Sequence, residues 1–516
     1  MPSIPSSAAV ESIKSGRPEP QAIREGAVDA TKGRRSLTEN MDDPSRRRTD
    51  NRVLFAILIG AALLRLLYID QPFVDLISWR EADDAIIADS FFRGHLNIFL
   101  PEISWNGPGP SYVGYEFQLT TYLVALLYHL FGQGDWIGRG ISVVFGIWGI
   151  FAFHNLVRRT FNEKRDRALV SSVVFAVMPG GILVDRSFLP DPVMVSLVVT
   201  SFWMLLAYLQ DRWMTYLVLA VLTGTAGMLT KISGLVAALP MLYAIFGLLP
   251  ASHRMRMTYF ASLTVASVLM LAPVIGYYVW AIHVSHVYAP HLVAARDNWI
   301  WDASFDNWLE ASYFWPKLSR AAAWLWGAPL LVSALVGLLF PPAQNGKGSL
   351  RWLFHYWLLA GIVFYAFGAR ELADNPWNFH IIDPALAGLA AQGLLVTSAA
   401  LARFGLPMIG RGVIVLIIVS ILGFEVKNLG WVYYPYARET RALGIALARI
   451  SEPSDLVVTV GNDIGDPGAI YYSRRHGWVF PPLTPICLGR KGLRTSQRRF
   501  DHSTGFGPRG PDGSES

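Results

Sequence analysis

Eleven apolar runs, near residues 53–69, 138–157, 168–184, 191–209, 213–230, 232–249, 258–282, 324–340, 352–368, 379–402 and 412–430, constrain this chain more than any other feature. Each approaches the roughly 20 apolar residues that a helix needs to cross a hydrocarbon core. Only 16% of the 516 residues are charged and 53% are hydrophobic, whereas soluble proteins carry about a quarter charged residues. The predicted fold class is an all-α polytopic membrane protein of about 11 transmembrane helices.

The formal net charge of +6 would suggest nucleic acid in a soluble chain. Here the basic residues sit mostly in short loops between apolar runs, as the positive-inside rule expects, so no nucleic-acid partner is predicted. The single cysteine, Cys487, excludes an intramolecular disulfide and a cysteine-based metal cluster. Residues 1–52 are rich in Ser, Pro, Glu and Arg without apolar periodicity and read as a disordered cytoplasmic tail. The first apolar run starts far from Met1 and has no small-residue cleavage site after it, so it reads as a span rather than a signal peptide.

Charge also predicts which side each loop occupies. The run 117–131 is short and carries Gln118, Thr120, Thr121 and His129. If it lies in the interface rather than spanning, the basic loop 158–167 and those holding Arg212, Arg254, Arg256, Arg351, Arg403 and Arg411 all fall on the cytoplasmic side. The first outer loop 70–137, the turn 185–191, Lys231, the aromatic loop 283–323 and everything after 430 then share the outer face. That face is the acidic and aromatic one, where chemistry is expected. The transmembrane domain so defined covers 53–430. Residues 431–486, with a helix pattern in ARETRALGIALARI and a strand pattern in DLVVTVG, predict a small C-terminal α/β extracytoplasmic cap domain. The polar, Gly-rich stretch 487–516 is expected to be disordered. The predicted location is the inner (plasma) membrane, with the N-terminus cytoplasmic and the C-terminus outside.

Carboxylates beside a span cost free energy unless they meet water, a partner or a ligand. WREADDAIIADSF packs Glu81, Asp83, Asp84 and Asp89 just after the first span, with Arg80 spaced to pair with Asp83 and Asp84 along a helix. DRSFLPD places Asp185, Arg186 and Asp191 in a tight turn, and Lys231 interrupts apolar sequence in GMLTKISG. Each set also has a bland reading: a solvated helix face, an interfacial anchor, a snorkelling lysine. Arg186 and Lys231 on one face would suit a phosphate. His283, His286 and His291 have spacing that a metal could use, but histidines among interfacial aromatics usually serve as amphipathic anchors; no cofactor is predicted and a divalent metal is not indicated. Walker, dinucleotide, GxSxG and HExxH motifs are absent from the sequence.

WREADDAIIADSF, GYEFQLTTYLVALLYHLFG, GRGISVVFGIWGI, RSFLPDPVM, GTAGMLTKISGL and IYYSRRHGW, in this order, resemble the bacterial members of glycosyltransferase family 39, which holds the protein mannosyltransferases and the lipid A aminoarabinose transferases. The resemblance spans roughly 53–486. It implies a GT-C fold and transfer of a sugar, with inversion, from a polyprenyl-phosphate donor to a hydroxyl acceptor at the outer membrane face. It also implies a carboxylate base early in the first outer loop. Many relatives read approximately WRQADT there, which puts the base on Asp83; the Asp-Glu pair of the mannosyl and aminoarabinose enzymes falls ungapped on Arg80 and Glu81, leaving Glu81 as the reserve. Arg186, Lys231 and Asp191 match the family's phosphate or donor-binding positions. Glu116, Arg475 and His380 are candidate substrate contacts, although relatives often carry His and Tyr-Tyr where this chain has NPWNFHIIDP. The expected partners are the lipid-phosphate sugar, the acceptor and membrane lipids. A transporter or flippase of lipid-linked sugars is the rival reading; it would place ionisable groups at mid-membrane and show inverted repeats, neither of which the sequence displays.

Overall fold

The computed structural model describes residues 44–94, 96–161, 165–250, 252–290, 311–343, 350–460 and 466–480. His291, most of the expected N-terminal tail and all of 487–516 lie outside them. In chain order the helices are α1 (Pro44–Arg65), α2 (Ser78–Arg93), α3 (Leu119–Phe131), α4 (Asp135–Thr160), α5 (Arg165–Val177), α6 (Pro179–Arg186), α7 (Asp191–Asp211), α8 (Met214–Thr230) and α9 (Ala238–Gly247). There follow α10 (His253–Val287), α11 (Ala311–Leu325), α12 (Gly327–Leu339), α13 (Leu353–Asp374), α14 (Asp383–Arg403), α15 (Pro407–Val432), α16 (Arg438–Ile450) and α17 (Gly468–Ser473). Two 3-10 segments, Ile232–Ala237 and Pro376–Ile382, lead into α9 and α14.

Every one of the predicted apolar runs is helical. By length and composition, five helices among the described residues are able to cross a membrane, and up to seven if each of two bent pairs counts as one span. The bends are 63° between α5 and α6, where Pro179 opens the second helix, and 96° between Leu318–Leu325 and Gly327–Leu339. At Gly327 the backbone turns through a φ of +72°, a left-handed conformation that glycine adopts without steric cost. Helix α1 begins at Pro44, inside the stretch expected to be tail. Helix α3 is 13 residues, about 20 Å at 1.5 Å per residue, short of a roughly 30 Å hydrocarbon core.

The main core gathers α4, α5, α7, α12, α13 and α14 around Phe153, Phe202, Leu330 and Trp357. Helices α12 and α14 cross so closely that a Cβ on Gly337 would fall on the Leu389 carbonyl, and one on Gly393 on the Ser333 carbonyl. Small residues allow such an approach, which lets dispersion contacts join helices where lipid offers no hydrophobic drive.

Beyond α15 the chain forms α16, strand β2 (Leu456–Val460), α17 and strand β3 (His476–Phe480). Strand β3 pairs in parallel with β2, Leu456 opposite His476, and antiparallel with the two-residue β1 (Asn106–Gly107) of the first outer loop. Tyr471 and Tyr472 reach over to α4, their hydroxyls donating to Asp135 at 2.7 and 2.8 Å. The terminal α/β segment is thereby tied to the loop that carries the acidic cluster.

Candidate active site

Helix α2 follows the expected i, i+3 and i+4 pairing. Arg80 lies 2.9 Å from Asp83 and 3.3 Å from Asp84, and its second Nη donates to Glu116 at 2.8 Å. The other oxygen of Asp83 accepts from the Trp105 indole at 2.7 Å. Both Asp83 oxygens are therefore engaged. Asp84 differs: its Oδ2 is buried without a hydrogen-bond partner, and the residue lines a small cavity with Glu116, Phe117, Gln118, Thr120, Thr121 and Pro190.

Burying an ionised carboxylate is costly unless it is paired. Burial pushes Asp83 above the usual carboxylate range, against the pull of Arg80 and the Trp105 hydrogen bond. It lifts Asp84 well above that range, and the negative neighbours Asp83, Glu116 and Asp191 add to the rise while Arg80 opposes it. A carboxylate with an unpartnered oxygen, beside a cavity and with a raised proton affinity, is suited to take a proton.

Asp191 opens α7 directly after Pro190, where the positive end of the helix favours an acid. Lys231 sits at the break between α8 and the 3-10 segment and donates to the two Asp191 oxygens at 2.7 and 2.9 Å and to Asn378 Oδ1 at 2.8 Å. Asp191 bears on Asp84, so the lysine is one residue removed from the acidic cavity.

Four sequence-predicted residues lie elsewhere. Glu81 is wholly buried against Arg139, at 2.8 and 2.7 Å, and accepts from the Phe188 amide at 2.9 Å. Arg186 is also wholly buried: it donates to Asp75 at 2.7 Å and to the Tyr68 carbonyl at 2.8 Å, and its guanidinium covers the Tyr433 ring. His380 lies between Asp383, at 2.8 Å, and Asp185, at 3.0 Å, and Asp185 also binds Arg65. These groups form an ion-pair network that joins the first outer loop to helices α1, α4, α6 and α14. Arg475 closes the end of α16 through the Ala448 and Ser451 carbonyls and lines no part of the cavity. Glu81, Arg186 and His380 thus meet opposite charges within the protein, although the Nε of Arg186 is buried without a hydrogen-bond partner. Of the predicted set, Asp83 and Glu116 share Arg80, and Asp191 and Lys231 form a second pair whose acid adds to the negative field at Asp84.

Asp84, one of the helix-face carboxylates of the sequence, lines the cavity together with Glu116. Trp105, Thr120 and Asn378 carried no sequence signal, because only the fold brings them to α2, α7 and Lys231. Among the described residues no group of three or more His, Cys, Asp or Glu side chains is gathered as metal ligands would be; His283 and His286 lie in the last turns of α10.

Residues 118–280 match the family model described as dolichyl-phosphate-mannose-protein mannosyltransferase. No curated protein matches the sequence. The fold is similar to that of ArnT from Cupriavidus metallidurans bound to undecaprenyl phosphate, with a TM-score of 0.57 at 14% identity over 82% of this chain and 84% of that one. It is also similar to the Archaeoglobus fulgidus oligosaccharyltransferase in complex with Zn and sulfate, with a TM-score of 0.57 at 13% identity over 83% of this chain and 62% of that one. A further similar structure is the oligosaccharyltransferase AglB of that organism with an inhibitory peptide and a dolichol-phosphate, with a TM-score of 0.52 at 13% identity over 82% and 64%. Residues 118–280 thus carry the sequence pattern of the mannosyltransferase family model, and the fold of the chain is similar to that of ArnT and of the archaeal oligosaccharyltransferase.

Proposed function

We propose that this protein transfers a sugar from a polyprenyl-phosphate donor to a hydroxyl acceptor at the extracytoplasmic face, with inversion at the anomeric carbon. The observation that carries the reading is Asp84, whose Oδ2 is buried without a partner and which lines a small cavity with Glu116, Gln118 and Thr120. Asp84 takes the proton of the acceptor hydroxyl while that oxygen attacks C1. The bond between C1 and the phosphate oxygen breaks, and the polyprenyl phosphate leaves with the electron pair. Attack from the face opposite the leaving group inverts C1.

Asp83 keeps Arg80 in place by sharing its guanidinium with Asp84 and Glu116, and Trp105 fixes the Asp83 carboxylate. Lys231 is the cation for the leaving phosphate, because charge that develops in a water-poor site is best stabilised by a preorganised donor. Its three N–H bonds go to Asp191 and Asn378 in the free protein, so the phosphate displaces one of them on binding. The basic short loops of the sequence, read by the positive-inside rule, support an outer location for these groups.

The test is release of free polyprenyl phosphate by the purified chain from a polyprenyl-phosphate sugar and an acceptor lipid or peptide. Wild type is expected to release it, and Asp84→Asn to lose at least about a hundredfold in rate, as removal of a general base does. Movement of intact donor between leaflets without any release would sink the reading in favour of a transporter.

A further inference from the structure

The acid-bearing helix α2 is entered through a short stretch of chain that residues after 430 hold at three backbone points. The Phe73 amide donates to the Tyr472 hydroxyl at 2.7 Å. The Val74 carbonyl accepts from the Ala437 amide at 2.9 Å, and the Leu76 amide donates to the Val432 carbonyl at 3.3 Å. The residue that opens α2, Ile77, offers no capping side chain, so the start of the helix depends on how this stretch is held. Tyr472 is the one side chain among the three ties, and it comes from α17, 399 positions along the chain. Its hydroxyl is used in both senses: it accepts from Phe73 and donates to Asp135 at 2.8 Å. Asp135 opens α4 and takes a second bond from Tyr471 at 2.7 Å. Burial, with Asp135 close by, pushes both phenols above the ordinary tyrosine range, so they remain donors at neutral pH.

Asp135 and Arg139 lie one turn apart on α4, so the same helix end meets the tyrosines and α2. The Arg139 guanidinium lies over the Phe73 ring, 5.1 Å from its centroid, and holds Glu81 of α2 at 2.8 and 2.7 Å. Glu81 stands one turn before Asp84 on that helix. The contacts close into a circuit: Tyr472 to Phe73, Phe73 under Arg139, Arg139 to Glu81, and Asp135 back to Tyr472. We infer that Tyr472 is a positioning residue for Asp84, fixing the entry to α2, and that the C-terminal α/β segment thereby takes part in the reaction instead of only covering the site. The inference rests on the proposed transfer, in which Asp84 is the base. A base has to stand within hydrogen-bond reach of the proton it takes, and a displacement of about 1 Å can cost about a hundredfold in rate. Two of the three backbone ties survive loss of the Tyr472 hydroxyl, so a smaller effect is expected from that change alone.

The experiment compares wild type, Tyr472→Phe and Tyr471→Phe as full-length chains in lipid nanodiscs. Tyr472→Phe removes the hydroxyl and keeps the ring beside Tyr471 and Arg441. Tyr471→Phe removes a bond to the same carboxylate and leaves the Phe73 tie intact. Hydrogen exchange followed by mass spectrometry reads the geometry without turnover. In wild type the Phe73 amide should exchange slowly. Tyr472→Phe is expected to speed exchange across residues 73–93 by about tenfold, the effect of one lost hydrogen bond, and Tyr471→Phe to leave it within about twofold. Release of polyprenyl phosphate, with polyprenyl-phosphate mannose as donor, reads the chemistry. Tyr472→Phe should lower kcat per folded molecule by about tenfold and keep the donor KM within about twofold of wild type, because the donor phosphate is assigned to Lys231 and not to α2. Tyr471→Phe should keep both values.

Fast exchange of the Phe73 amide in wild type, or unchanged exchange across 73–93 in Tyr472→Phe, overturns the inference. Equal damage from the two substitutions marks general docking of α17 and overturns it as well. So does a lower melting temperature with kcat per folded molecule unchanged, which is the signature of a structural role. These outcomes are separable from failure of the proposed activity. Faster exchange at α2 in Tyr472→Phe, where wild type releases no polyprenyl phosphate, would sink the transfer reaction and leave Tyr472 as the residue that sets α2. Normal turnover by Tyr472→Phe would do the reverse.

Discussion

Two adjacent aspartates on one helix differ because each points to a different neighbourhood. Asp83 meets Arg80 and Trp105, whereas Asp84 shares Arg80 and leaves its other oxygen without a partner. Burial raises the proton affinity of Asp84 well above that of an ordinary aspartate, which titrates near about 3.9. A base works only when deprotonated, so kcat/KM should fall as pH falls through the raised value, giving an acid limb above the ordinary aspartate range in a pH-rate profile. The sign for stability is opposite. A carboxyl that holds its proton more tightly when folded stabilises the fold less and less as pH rises from the unfolded value through the folded one. Asp84→Asn should thus lose transfer yet match or exceed wild type in thermal stability at neutral pH, measured by a melting scan. Asp83→Asn keeps an acceptor for Trp105 but loses the charge facing Arg80, so a partial loss of about tenfold in rate is expected. The reverse ranking of the two variants would return the base to Asp83. Sequence spacing made the Arg80 pairs legible. It left the choice between the aspartates open, because that choice depends on Trp105 and Pro190, which are distant in the chain. The partners of Arg186 and His380 were not legible for a related reason: a charge beside a span looks the same in sequence whether it stands alone or, as here, meets Asp75 or Asp185 and Asp383.

At the scale of elements, apolar periodicity was a sound guide wherever the partner was lipid or another apolar helix, and each predicted run became a helix. Breaks were less legible. Pro179 marks the bend between α5 and α6, yet the bend before α12 needed Gly327 at positive φ, which composition alone does not announce. The pairing of β1 with β3 joins residues from the two ends of the chain and leaves no local pattern at two residues long. The closest helix contact depends on glycine rather than on hydrophobicity. Gly337→Val would drive a side chain into the backbone of α14 at Leu389, an overpacking that costs about 1–3 kcal/mol or more. The expected result is a lower unfolding temperature and a loss of monodisperse protein on size-exclusion chromatography. Gly60→Ala, at a site with nothing within 4 Å, is the matched control and should leave both unchanged.

The molecule as a whole has two unlike poles. One carries the basic connectors and their surface pairs, Arg159 with Asp211 at 2.9 Å and Arg165 with Asp50 at 3.0 Å. The other carries the acidic cavity, the first outer loop and the α/β segment that adds β2 and β3 to β1. The proposed orientation, drawn from the positive-inside rule, has the first pole in the cytoplasm and the cavity outside. A transfer site outside the cell has no access to nucleotide sugars, so a lipid-borne donor and an outside cavity stand or fall together. Cysteine labelling reads the orientation directly. In a Cys487→Ser background, single cysteines replace Asn97 and Glu452 at the cavity pole and Ser252 and Gly405 at the basic pole, all four exposed. A membrane-impermeant maleimide applied to intact spheroplasts should label Asn97→Cys and Glu452→Cys at once. Ser252→Cys and Gly405→Cys should react only after the membrane is opened with detergent. The opposite pattern would place the acidic cavity in the cytoplasm, where nucleotide sugars are at hand, and would remove the physical reason for a lipid-phosphate donor.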